Sequence, residues 1–263
     1  MIIPFIESIG RYSRNIIIKF CNIKSLKYLV NLCFDFLKNL IFLQFYKKQL
    51  LKFGFEFSFL SLPVIFLTSL CTGAVLTLQT FSGLGVFASS ASVAKVVVPS
   101  IIRELGPVLT GLMIAGRVSS SVAAQIATMK TMDQINALKT LSINPIKYLV
   151  LPRVFIGILL MPILMIVGDI VAVFGSTLVM TIKFNVLYSS YLSSINDFFV
   201  FNDLMIGLLK ALCFGFIITL IGCIKGFNSN GNSEGVGIAT TESVVLASIL
   251  ILVINYTLTV LFF

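Results

Sequence analysis

Apolar residues run along this chain in blocks too long for strands and too unbroken for the helices of a soluble domain. A bilayer core of roughly 30 Å takes about 20 helical residues to cross, so each uncharged run is measured against that length. The run between Glu56 and Lys95 predicts a first span at 58–80, followed by a Ser/Gly-rich turn, FSGLGVFASSAS, at 81–92. A run at 154–182 is interrupted only by Asp169, one at 204–224 only by Lys210, and one at 243–263 by no charge. Between Glu104 and Met129 the hydropathy is weaker because Arg117 divides it, but parity of topology requires a crossing there. Five spans result.

The second span carries a pattern of its own. Gly111, Ala115, Ser119, Ala123 and Ala127 recur every fourth residue, with Gly116, Ser120 and Ala124 in an adjacent column. In lipid such columns let backbones approach closely, either inside one subunit or across a subunit interface. Pro107 removes a helical hydrogen bond and predicts a kink near the outer end of this span.

After it, TMKTMDQINALKTLSINPIKYL has Met132, Ile135, Leu138 and Leu141 three apart, with Asp133, Gln134 and Lys139 on the other faces. That spacing predicts a short amphipathic helix at about 131–142, closed by Asn144-Pro145. Flanked by two spans, it suits insertion into a groove on a partner protein; an interfacial linker is the alternative.

Composition fixes the class. The 263 residues are 58% apolar and 11% charged, far from the usual soluble balance. The chain is therefore read as an all-α integral membrane protein. Residues 1–57 form a basic amphipathic segment lying on the membrane surface, and 58–263 form the transmembrane domain. The first part mixes Ile, Leu and Phe with Lys at helical intervals, which suits a helix in the headgroup layer, and it lacks the cleavage pattern of a signal peptide.

The 19 basic residues concentrate before the first span and around 130–153, while the loop after the third span has no Lys or Arg between Phe184 and Asn202. By the positive-inside rule the N-terminus and the 130–147 loop face the cytoplasm or its equivalent. The net charge of +9 is strung along membrane-proximal segments and implies no nucleic-acid partner.

The chain has no His, so imidazole catalysis and His-ligated metal are excluded. Cys21, Cys33, Cys71, Cys213 and Cys223 show no C-x-x-C spacing, so neither a disulfide framework nor a zinc site is implied. No catalytic residues, metal or cofactor are expected. Ionisable groups at membrane depth are costly and thus functional candidates: Glu104, Arg117, Asp169 and Lys210. Asp169, near the middle of its run, is expected to pair with Lys210 or to line a polar cavity.

The run ELGPVLTGLMIAGR, then A-x-x-x-x-M-K-x-x-D-Q-I-x-A-L, then NPIKYLVLPR, resembles the MlaE family of ABC-transporter permeases. Lys210 with Phe214-Gly215, and the segment Glu234 to Thr241 ahead of the last span, fit the same pattern. The resemblance implies a homodimeric permease that moves phospholipid or a related lipid between membranes. Its partners would be a separate ATPase and an MCE-domain lipid-binding protein, and it would reside in a bacterial inner membrane or a plastid inner envelope. The ATPase is separate because no G-x-x-x-x-G-K-[ST] phosphate loop occurs here.

Carried over, the 131–141 helix is the coupling helix, with Met132, Asp133, Gln134, Ile135, Leu138 and Lys139 facing the ATPase. The second and last spans contribute to a dimer seam and lipid pocket, with Gly111, Ala115, Ser119 and Ala123 as packing positions. Two departures stand out: Gln125 and Asn255 occupy places where the family usually or often has a carboxylate. The competing class is an ion-coupled transporter or channel using Asp169, Glu104 and Lys210 as a relay; the absence of an evident inverted repeat speaks against it.

Overall fold

The computed structural model describes residues 47–85 and 89–262; the surface segment expected within 1–57 lies mostly outside them. Among the described residues every regular element is helical. Five helical stretches are long and apolar enough to cross a membrane: 50–84, 90–131, 148–182, 201–227 and 233–262. They are termed spans 1 to 5.

Span 1 comprises α1 (Lys47–Ser58) and α2 (Leu62–Leu84), joined by a tight turn at 59–61. It begins earlier than the expected residue 58, because Glu56, taken as a boundary, accepts a hydrogen bond from Gln125 of span 2 inside the bundle. Span 2 contains α3 (Ser90–Ser100), α4 (Gly106–Ile114) and α5 (Ser120–Thr131), linked by π-helical turns at Ile101–Leu105 and Ala115–Ser119.

The expected loop at 81–92 is shorter than predicted. Its serines serve as a cap: the Ser89 hydroxyl accepts from the Ser92 N–H at 3.1 Å, while the Ser92 hydroxyl accepts from the Ser89 N–H at 2.7 Å. Such reciprocal capping satisfies two orphan donors and starts a helix where composition alone suggests a turn. The first π-helical turn ends immediately before Gly106-Pro107, so the proline disturbance predicted for this span takes the form of a widened turn.

The short amphipathic helix is α6 (Gln134–Thr140), smaller than the expected 131–142. Thr131 still belongs to span 2, and Asp133 takes a left-handed conformation at φ 55°, which breaks the helix between them. Asn144 and Pro145 open the next helix rather than only closing this one: the Asn144 side chain accepts from the Ile146 N–H at 3.0 Å, with proline at the first helical position. That helix, α7 (Pro145–Ile182), absorbs Pro152 and Arg153 well before the expected start at 154.

Beyond span 3, α8 (Tyr188–Phe198) is amphipathic and packs on α3. It is anchored by the buried Tyr191, which shares a 2.6 Å hydrogen bond with Ser176; burial raises the phenol pKa. α9 (Phe201–Phe227) forms span 4, the most enclosed of the five, and α10 (Ser233–Phe262) forms span 5, the least. Span 4 packs on spans 2, 3 and 5, and span 1 packs on span 3.

Without a hydrophobic effect between helices in lipid, close packing depends on small residues. A Cβ on Gly73 would lie 1.9 Å from the Ala172 carbonyl oxygen, and one on Gly215 would lie 2.2 Å from that of Gly157. These are backbone-to-backbone crossings of span 1 on span 3 and of span 3 on span 4.

Candidate functional site

The predicted small-residue column on span 2 is buried throughout: Gly111, Ala115, Ser119, Ala123 and Ala127 all face inward. Span 4 lies against it, since a Cβ on Gly222 would meet the Ser119 carbonyl oxygen at 2.9 Å and one on Gly226 that of Ala123 at 3.0 Å. Within this chain the column therefore packs against span 4. The adjacent column differs, for Gly116 is exposed and a Cβ added there would meet nothing within 4 Å.

Charged residues gather in two networks at opposite ends of the bundle. The end bearing Lys130 and Lys139 is here the basic end; the other is the far end. At the far end Lys210, fully buried on span 4, uses all three of its N–H donors. They go to Glu104 Oε1 at 2.7 Å, the Arg103 carbonyl at 2.9 Å and Thr259 Oγ1 at 2.9 Å.

Glu104 is thus held between spans, and its Oε2 accepts from Asn255 Nδ2 at 2.8 Å. Thr259 adds a second hydroxyl contact to Oε1 at 2.8 Å. The Glu104 side chain keeps 37% of its surface exposed, whereas Lys210 keeps none. Asn255 Oδ1 is buried without a hydrogen-bond partner among the described residues, leaving an acceptor beside the carboxylate. Next to this network Arg103 pairs with the buried Asp203 at 2.8 Å.

Asp169 does not pair with Lys210. It sits 5% exposed on span 3, both carboxyl oxygens lacking a hydrogen-bond partner among the described residues. Its Oδ1 lies against Gly106, where a Cβ would come within 1.7 Å of it. The pairing expectation failed because Lys210 has a carboxylate on span 2 at ion-pair distance, and its remaining donors are taken by Arg103 and Thr259.

At the basic end, Gln125 holds a bridge. Its Nε2 donates to Glu56 Oε2 at 3.0 Å and its Oε1 accepts from Arg153 Nη2 at 3.2 Å. The amide therefore links a carboxylate on span 1 to a guanidinium on span 3, supplying from Glu56 the negative charge that position 125 lacks. Arg153 is 2% exposed, donates to the Leu149 carbonyl at 2.9 Å and rests over the Phe53 ring, 4.2 Å from its centroid. Arg117 lines a cavity together with Glu56, Gln125 and Arg153.

Neither Glu56 nor Arg153 stood out in the sequence. The signal was available, since both are charges within two helical turns of a long apolar run. Lys225 pairs with Glu242 at 2.8 Å at this end, and Lys130 caps the end of span 4 through the Phe227 and Ser229 carbonyls.

α6 projects from the basic end. Ile135 is buried and Leu138 half-buried, so these two of the predicted contact residues anchor the helix to its own subunit. Met132, at 65% exposure, and Asp133, Gln134 and Lys139 are presented outward. Asp133 is fixed by an Asn136 hydrogen bond of 2.8 Å. Among the described residues no group of three or more His, Cys, Asp or Glu is placed to hold a metal ion.

Five helices long and apolar enough to cross a membrane, with ion pairs shared between different spans, define an all-α multi-pass membrane protein. The family described as Permease MlaE matches residues 51–261. A probable ABC transporter permease protein of Rickettsia typhi is 48% identical over 223 residues, 85% of each chain. One from Synechocystis is 36% identical over 203 residues, 77% of each chain. The intermembrane phospholipid transport system permease protein MlaE of Haemophilus influenzae is 34% identical over 204 residues, 77% of this chain and 78% of that one. The chain belongs to the MlaE family of ABC transporter permeases.

Proposed function

We propose that the chain moves phospholipid between membranes, working as a homodimer with a separate ATPase and an MCE-domain lipid-binding protein. The observation that carries this reading is the far-end network. A fully buried lysine is neutralised by a glutamate that remains one-third exposed, with an unpartnered acceptor on Asn255 alongside. Polar groups placed this way at membrane depth offer an amphipathic headgroup both charge and hydrogen bonding, while the surrounding apolar surfaces suit acyl chains.

The 34% identical Haemophilus protein, named for phospholipid transport, supports the substrate class. The outward residues of α6, Met132, Asp133, Gln134 and Lys139, form the ATPase-coupling surface. ATP-driven closure of the partner would push on them and shift spans 2 and 3, which flank the helix.

The test is lipid transfer by the reconstituted complex carrying Glu104→Gln with Lys210→Met. Removing both charges leaves no unpaired buried ion, so the variant is expected to assemble, keep basal ATP hydrolysis and lose at least about tenfold in transfer, the loss of one charge-assisted interaction or more. Unchanged transfer would sink the assignment of this network to lipid handling.

A further inference from the structure

At the basic end, away from the far-end network, a cavity of about 270 Å³ lies between spans 1, 2 and 3, with Thr219 of span 4 at its back. Its polar wall is Glu56, Arg117, Gln125 and Arg153. Among the described residues two guanidinium groups face one carboxylate there, which leaves one positive charge unbalanced.

The two cations are differently held. Arg153 is fixed on Phe53 and Gln125, yet its Nε is buried without a hydrogen-bond partner among the described residues. The Arg117 side chain is half-buried and makes no hydrogen bond or ion pair among the described residues. An unsatisfied buried donor and an unpaired guanidinium in one cavity at membrane depth are costly unless an anion completes them.

Depth and walls select the anion. At 1.5 Å per residue Glu56 lies about 9 Å inside the start of span 1, Arg153 about 8 Å inside span 3 and Arg117 about 21 Å from the end of span 2, so the cavity runs from the basic end into the apolar part of the bundle. The opening is marked by Leu60, 46% exposed on span 1, and the exposed Ser121 on span 2, with Phe57 and Ile156 forming apolar sides. A water-soluble anion has no use for that apolar exit, whereas a phospholipid fills both halves of the site.

We infer that this cavity is a second phospholipid site, in the leaflet of the basic end. Arg117 and Arg153 hold the headgroup phosphate there, and the acyl chains leave past Leu60 between spans 1 and 2. Planar guanidinium donors suit phosphate oxygens. Glu56, tied to Arg153 through Gln125, offers the ammonium of a zwitterionic headgroup a counter-charge. The site stands at the opposite end from the Glu104 network, so its binding does not depend on that network's role in transfer.

The test uses the purified full-length protein with Glu104→Gln and Lys210→Met in place, which silences the far end. Native mass spectrometry then reads retention of added phosphatidylethanolamine. The background protein is expected to retain this lipid, Arg117→Gln to weaken retention about tenfold, and Arg117→Lys to restore most of it. Arg117 makes no side-chain bond within the described fold, so its substitution leaves folding intact; a thermal melt checks this.

Diacylglycerol, which has the acyl chains without phosphate, is expected to be lost from all variants. Equal retention by Arg117→Gln, equal retention of diacylglycerol, or displacement of the lipid by millimolar inorganic phosphate would each overturn the proposal. The last result would identify a free-anion site instead. No transfer step enters these measurements, so a failed transport reading and a failed binding site give different results.

Discussion

At the scale of single residues, the Glu104–Lys210 pair is asymmetric. Lys210 has no exposed surface, whereas Glu104 is partly open, so each partner tolerates the loss of the other differently. Glu104→Gln strands a buried ammonium and is expected to destabilise the fold by roughly 3–5 kcal/mol, the usual cost of breaking a buried pair. Lys210→Met leaves a carboxylate that still accepts from Asn255 and Thr259 and can meet water, so its cost is smaller. Thermal melting of the two variants in one detergent should therefore place Glu104→Gln lower; the reverse order would refute this account of the pair. Both residues were legible in the sequence as charges in oily surroundings, but their pairing was not. Glu104 and Lys210 lie on different spans, and nothing local says which neighbours meet. Asn255 shows the same gap: a departure from the family pattern by sequence, it proves to be a donor to Glu104, a role an ionised aspartate cannot fill.

At the scale of elements, hydropathy located all five spans, because apolar length is a property of the segment alone. It misjudged their ends wherever a polar residue is satisfied by something distant or by a cap. Glu56 hid the start of span 1 because Gln125 accommodates it from 69 positions away, and Ser89 hid the start of span 2 by capping it. The small-residue column was equally legible as a pattern, but only the helix lying against it shows what it packs on. Two glycines separate these cases. Gly215→Val would drive a side chain into the Gly157 carbonyl and the Met161 Cβ, and is expected to abolish recovery of folded protein. Gly116→Ala meets nothing within 4 Å, and since alanine favours helix by up to about 1 kcal/mol over glycine, it should leave the melting temperature unchanged or raised. Size-exclusion profiles and thermal melts of both proteins decide the matter, and equal behaviour would contradict the crossing described for spans 3 and 4.

At the scale of the whole molecule, the proposed roles of the two charged networks and of α6 fall on different parts of the bundle. Span 2 joins all three: Glu104 lies in its far half, Arg117 and Gln125 reach the basic-end cavity, and its last turn leads into α6. The π-helical turns at Ile101–Leu105 and Ala115–Ser119 fall directly at Glu104 and Arg117, so the helix is widened where it carries each charge. A widened turn breaks the regular helical ladder beside each charge, and on the proposed coupling a push at α6 is taken up at these turns. That route predicts a variant which separates folding from coupling. Lys139 is exposed on α6, whereas Ile135 and Leu138 hold the helix to its own subunit. Lys139→Glu should therefore leave the melting temperature and phospholipid retention unchanged. In the reconstituted complex it should reduce lipid-stimulated ATP hydrolysis and lipid transfer together, by about fivefold or more, through like-for-unlike charge at the partner surface. Doubly substituted protein with Ile135→Ala would, by contrast, melt lower, because that side chain is buried. If Lys139→Glu left hydrolysis and transfer at their original rates, α6 would be a linker between spans 2 and 3 and the ATPase contact would have to lie elsewhere on the basic end.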